Sequence, residues 1–83
     1  MKNTFSEYTE SEFEALLQRI INHDGTELEV DKMVFLFEEV SEHPAGSDLI
    51  FYPEDGADDL ASGITQAVKE WRATQGLPGF KDN

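Results

Sequence analysis

The residues of this 83-residue chain best suited to chemistry are carboxylates in adjacent pairs: Glu38-Glu39, Glu54-Asp55 and Asp58-Asp59. Two carboxylates that converge can hold Mg²⁺ or Ca²⁺, or divide general acid and base work between them. Convergence is what these pairs lack. Neighbours in a helix do not face each other, and the loop pairs have no glycine-turned spacing of the kind that builds a dedicated cation cage. A carboxyl group raised toward neutral pH would also need a desolvating cleft, for which so short a chain has little volume. His23 and His43 each fall beside a helix end, where capping or a backbone hydrogen bond is the expected role. There is no cysteine, hence no disulfide, thiolate metal site or cysteine nucleophile. The zinc-helix, phosphate-loop, nucleophile-elbow and calcium-loop patterns are all missing. The expectation is a protein that is not an enzyme, with no catalytic residue, no metal and no cofactor.

Recognition is the chemistry that remains. The formal net charge is −12, and it is regional: between Asp24 and Asp59 stand twelve acids and only Lys32 as a base, for −11 in that stretch. Such a field repels phosphate and anionic lipid and draws in basic partners. Within it lie apolar groups that a core does not require. Leu28, Asp31, Phe35, Glu38 and Glu42 share one face at helical spacing, alternating carboxylates with large side chains. In Ser47-Asp48-Leu49-Ile50-Phe51-Tyr52-Pro53, Leu49 and Ile50 can anchor a turn, which leaves Phe51 or Tyr52 at the surface. Rings flanked by carboxylates suit a tight interface to a basic protein: the rings supply desolvated contact, and the charges steer. A second helix that buries Phe35 accounts for the same letters, and a short strand is the other reading of the 47–53 run.

The elements that carry these residues announce themselves. Thr9 with Glu12 is a capping box, and Tyr8 is placed to staple Phe13, so the first helix is expected over Glu10 to Asn22 with Phe13, Leu16, Leu17 and Ile20 inward. Asp24-Gly25 ends it. Thr26 with Glu29 starts a second helix running to Ser41, with Val30, Met33, Phe37 and Val40 facing the core and Val34 and Leu36 at its margins. Ser47 or Asp48 caps one short turn that Pro53 ends. Glu54 to Ala61 reads as an acidic loop. Ser62 is expected to cap the last helix, whose buried stripe is Ile64, Ala67, Val68 and Trp71, with Lys69 and Arg72 as cations toward its negative end. The tail from Pro78 reads as loosely held. The fold class is therefore all-α, a single domain over residues 1–83 with three longer helices and one short one. No apolar run approaches the roughly 20 residues of a membrane span, and no signal peptide is legible, so cytoplasmic residence is expected.

Glu42-His43-Pro44-Ala45-Gly46-Ser47-Asp48-Leu49-Ile50-Phe51-Tyr52-Pro53 resembles the immunity proteins of DNase-type bacteriocins, the E-group colicins and S-type pyocins. So do Ser62-Gly63-Ile64, Val68-Lys69-Glu70-Trp71-Arg72, Gly79-Phe80-Lys81 and the opening Ser6-Glu7-Tyr8-Thr9 with Glu12-Phe13. The likeness covers nearly the whole chain. It implies a four-helix fold with a short third helix, and a noncatalytic inhibitor that binds the basic C-terminal nuclease domain of a cognate bacteriocin one to one, beside its active site. DNA is then excluded by overlap and charge, which protects the producing cell.

Carried over by position, the shared binding element is Ser47, Asp48, Phe51, Tyr52 and Pro53. The partner-selecting element is Glu27, Leu28, Val30, Asp31, Val34, Phe35 and Glu38. One departure stands out: the family commonly has two tyrosines before the proline, whereas the first here is Phe51, so a phenolic hydrogen bond is lost. The charge argues against direct contact with nucleic acid or membrane, the free protein is expected to be monomeric, and the resemblance implies residence in the producing cell or release together with the toxin. The residues alone leave open an acidic DNA mimic or an antitoxin-type protein for another basic partner.

Overall fold

The computed structural model describes residues 4–51 and 60–81. A 3-10 turn, Phe5–Glu7, leads into α1 (Glu10–Ile21), α2 (Glu27–Ser41), the single-turn α3 (Asp48–Phe51) and α4 (Ala61–Thr74). Among the described residues there is no strand, which removes the strand reading of residues 47–51. The two longest helices to start before residue 42 do so in the same way. The Thr9 hydroxyl accepts from the Glu12 amide at 3.2 Å while the Glu12 carboxylate accepts from the Thr9 amide at 2.9 Å. Thr26 and Glu29 repeat the exchange at 3.2 and 3.3 Å. Each box satisfies two amide donors that a helix start leaves without an internal partner. Tyr8 meets Phe13 edge-on at 6.0 Å, as the staple requires.

α1 stops at Ile21, with Asn22 as its C-cap. The left-handed position that follows is taken by His23, at φ 51°, and the Asp24 amide bonds back to the Arg19 carbonyl at 3.0 Å. α2 ends on another left-handed residue, Glu42 at φ 60°.

The core holds Phe5, Phe13, Leu17, Ile20, Phe37, Val40, Ile64 and Val68, each 2% exposed or less. Phe13 sits at its centre, in contact with the rings of Phe5, Tyr8, Phe37 and Phe80. The inward faces expected for α1 and α2 are the ones observed.

α4 departs from expectation. It starts at Ala61 with Leu60 in the cap position, and no side chain caps it, so Ser62 is not the N-cap. Its buried stripe is Ala61, Ile64, Thr65, Val68 and Arg72, while Ala67 is exposed and Trp71 only half-buried. Turning the helix this way inserts two polar residues, and both are satisfied. The Thr65 hydroxyl donates to the Ala61 carbonyl at 2.7 Å. Arg72, 3% exposed, donates to the carbonyls of Ser41 (3.0 Å), Val40 (3.5 Å) and Pro78 (3.0 Å) and to the Glu42 carboxylate (3.2 Å), with its guanidinium 4.1 Å above the Phe5 ring. The bonds to Val40 and Ser41 supply donors to carbonyls that the end of α2 leaves unpaired.

The described part of the tail is also held more firmly than its composition suggests. Phe80 stacks on Phe5 at 4.2 Å, and the Lys81 amide donates to the Tyr8 carbonyl at 2.8 Å. The aromatic contact fixes the segment that Gly76, Pro78 and Gly79 would otherwise leave free.

Candidate functional site

The outward side of α2 carries two stripes. Glu27 stands three and four residues before Val30 and Asp31, and Val34 stands four and three after them, while Leu28, Asp31, Phe35 and Glu38 follow each other at steps of three or four. Asp31 belongs to both. The second stripe stands clear of the core, with Leu28 64% and Phe35 63% exposed. Burial of Phe35, the competing reading of the sequence, is thereby excluded. Phe37, two residues on, fills the interior in its place.

The first stripe lies lower. Val30 is buried and Val34 half-buried, so of the residues expected to touch a partner Val30 offers the least surface. These two, with Glu27 and Asp31, line a half-open groove of about 400 Å³ closed at one end by the His23–Gly25 turn and bounded by Phe51 of α3. Nothing in the sequence marked this turn as part of a site. The left-handed φ of His23 and the φ of 126° at Gly25 bring it alongside α2.

α3 adjoins through the loop after Glu42. The Ser47 carbonyl accepts from the amides of Ile50 and Phe51 at 2.9 and 3.0 Å, which winds the turn. Leu49 and Ile50 pack against the core, Asp48 is exposed and Phe51 is left 46% exposed. The structure thus brings Phe51 to the side of the groove along α2, with Ser47 and Asp48 in the same turn. Tyr52 and Pro53 lie outside the described residues, as do the acids Glu54, Asp55, Asp58 and Asp59.

Two details fix the loop that positions α3. Gly46 has φ 52°, and a Cβ there would meet the Glu38 carboxylate at 2.8 Å, so the turn depends on glycine and lies directly under a residue of the second stripe. His43 packs on Trp71 with ring centroids 4.6 Å apart, and its Nδ1 accepts from the Ala45 amide at 3.0 Å. Burial pushes the His43 pKa below its ordinary value, and the bond to Nδ1 requires the neutral ring. The expected role of His43, a hydrogen bond to backbone beside a helix end, is the one observed. Arg72, read from sequence only as a cation near the end of α4, anchors the same loop from beneath through Ser41 and Glu42. At the other end of α2, the hydrogen bonds from Thr26 hold the Glu29 carboxyl below the usual range.

No ion pair reaches Glu27, Asp31, Glu38 or Asp48 among the described residues, where the pairs are Arg19 with Asp24, Lys69 with Glu10 and Arg72 with Glu42. The face therefore presents exposed rings among unpaired carboxylates. Also among the described residues, no group of three or more His, Asp or Glu side chains converges as a metal site, and no helix is long and apolar enough to cross a membrane.

The chain is similar to known proteins over nearly its whole length. Residues 5–74 match the family model described as colicin immunity protein / pyocin immunity protein. The chain is 41% identical to the pyocin-S1 immunity protein of Pseudomonas aeruginosa over 85 aligned positions, covering 98% of each chain. It has the same identity and coverage with the pyocin-S2 immunity protein of P. aeruginosa strain PAO1. Among solved structures it superposes on a chain of the pyocin AP41 DNase–immunity complex with a TM-score of 0.87 and 46% identity, covering 99% of this chain and 100% of that one. A chain from the complex of the mutant nuclease domain of pyocin S8 with its cognate immunity protein gives 0.90 and 39%, covering 98% and 100%. With capping boxes, helix order and exposed α2–α3 face already in place, these matches across almost its full length mean that the chain belongs to the colicin and pyocin immunity protein family.

Proposed function

We propose that this chain is a noncatalytic inhibitor of a bacteriocin DNase, binding the nuclease domain one to one and excluding DNA from a neighbouring active site. The observation that carries the reading is the exposure of Phe35 and Phe51, at 63% and 46%, on adjoining elements inside an acidic field. A folded monomer gains nothing from leaving two phenyl rings in water beside unpaired carboxylates. A basic protein surface would bury the rings and neutralise the acids together. The solved relatives from pyocins AP41 and S8 are described as immunity proteins in complex with a DNase or nuclease domain, which supports the choice of partner. The contact residues are Glu27, Leu28, Asp31, Val34, Phe35 and Glu38 of α2 with Ser47, Asp48 and Phe51 of the α3 turn. Val30 contributes from below, and Tyr52 and Pro53 are assigned to the same binding element by the family resemblance alone. One domain spanning the chain does this without cofactor, membrane or nucleic acid, in the cytoplasm of the producing cell or released with the toxin.

A DNA mimic would need its acids at phosphate-like spacing over an unbroken face. Leu28, Phe35 and Phe51 interrupt the acids here, which favours a selective partner. The test is a plasmid-nicking assay with the nuclease domain encoded beside this chain and with those of pyocins S1, S2, AP41 and S8. Protection that saturates at one equivalent is expected with at least one of them. No protection against any, or DNA cleavage by the chain itself with Mg²⁺ supplied, overturns the reading.

A further inference from the structure

The groove between α2 and α3 has walls of two kinds. Its floor is apolar, from Val30 and Val34, and Phe51 stands at its side. Glu27 and Asp31 flank it with no cation among the described residues to pair with. Either half alone would be easy to satisfy. Together they restrict what can enter. A wholly apolar group would strip water from two carboxylates and give them nothing in return, and an unpaired buried charge is among the most costly arrangements in a protein interface. A compact cation would meet the acids and leave the valines and the ring uncovered. A side chain with a hydrocarbon stem and a charged, planar head satisfies both, since the stem lies along apolar surface while the head reaches the rim. Guanidinium fits better than ammonium, because it can stack on the phenyl face of Phe51 and offer paired donors to a carboxylate. At about 400 Å³ the groove lies at the small end of the range for sites that enclose a ligand group.

We infer that this groove is a receptor for one arginine side chain of the partner nuclease, held by its stem on Val30 and Val34 and by its guanidinium between Asp31, Glu27 and the face of Phe51. The inference rests on the nuclease-binding reading for the identity of the partner, and on the groove alone for its chemistry. The chemistry is therefore testable without any nuclease. Isotope-labelled full-length chain is titrated with N-acetyl-arginine-amide and, separately, with N-acetyl-phenylalanine-amide, each into the millimolar range, and followed by NMR.

The expected result is saturable movement of the Val30 and Val34 methyl signals and the Glu27 and Asp31 amides with the arginine probe. In the Glu27→Gln, Asp31→Asn double variant affinity should fall by roughly tenfold or more, while Glu70→Gln, which removes an acid elsewhere, should leave it unchanged. Preference for the phenylalanine probe, absence of a saturable shift with either probe, or equal loss in the Glu70→Gln variant overturns the inference. Nicking protection reports separately: arginine binding without protection leaves the groove intact and removes the nuclease, and protection without arginine binding does the reverse.

Discussion

Phe35→Ala separates folding from recognition. The ring is 63% exposed in the free protein, so of the roughly 200 Å² that a phenyl side chain can bury, about 130 Å² remains in water. Covering that area with partner surface is worth about 3 kcal/mol at ~25 cal/mol per Å², and each ~1.4 kcal/mol is tenfold in affinity. Truncation should therefore raise Kd for the cognate nuclease domain by about a hundredfold. Folding should hardly change, within about 0.5 kcal/mol, as for other exposed positions. Phe37→Ala is the internal comparison: its ring is fully buried, and its removal should cost about 3–5 kcal/mol of unfolding free energy. Marginal domains of this length have only about 4–12 kcal/mol in total, so the difference is easily read from urea midpoints. Calorimetric titration or surface binding kinetics gives Kd for each variant at a temperature where both are folded. A role for Phe35 in recognition rather than folding is refuted if Phe35→Ala unfolds as readily as Phe37→Ala, or if it binds the nuclease as tightly as the parent.

Three further outcomes follow from the supports of the site. Arg72→Ala leaves the carbonyls of Ser41 and Pro78 without a donor and should cost about 3–5 kcal/mol in urea unfolding, whereas Glu42→Gln, whose carboxylate is largely exposed, should cost under about 1 kcal/mol; equal effects would mean that the carbonyl bonds do not matter. His43 is pushed below its ordinary pKa by burial, so the unfolded chain takes up the proton first: stability should be flat above about pH 6.5 and fall as pH drops from there toward the lowered folded value. His43→Gln should abolish that step in a plot of unfolding midpoint against pH, and an unchanged profile would assign it to another group. Gly46→Ala forces a Cβ to within 2.8 Å of the Glu38 carboxylate at a φ of 52°, and should lower the thermal midpoint through a cost of about 1–2 kcal/mol; the double variant with Glu38→Ala should recover the part due to the clash, and no recovery would assign the whole cost to the backbone.

Legibility in the sequence followed how local the determining interaction was. Thr9 with Glu12 and Thr26 with Glu29 act within one helical turn, and both helix starts appear where the letters put them. Phe35 was ambiguous, because periodicity of α2 admits two faces, and only packing by Phe37 and Val40 decides between them. The start of α4 was misread for the opposite reason: a serine is a good cap, but core burial of Ala61 sets the register, and the cap was forgone. Arg72 stands seven residues after Thr65 and four after Val68, so the apolar stripe passes through it. A charge on that stripe was the available sign of a buried arginine, overlooked because helix ends commonly carry exposed cations. The role of Phe80 was not legible at all, since its partner Phe5 is seventy-five positions away in the chain. The His23 turn was equally hidden, because its place beside Val30 and Phe51 arises only once α1 and α3 are docked.

The meeting of the first and last described segments has a consequence for how the molecule opens. Phe80 closes over Phe5, and the Lys81 amide is tied to Tyr8, so the amino-terminal turn cannot fray without unzipping the carboxy-terminal strap, and the strap cannot peel away without uncovering the ring beneath Arg72. Chain ends usually exchange their amide hydrogens almost as fast as free peptide. Here the described segments at the two ends should exchange slowly and at matched rates, as one cooperative unit.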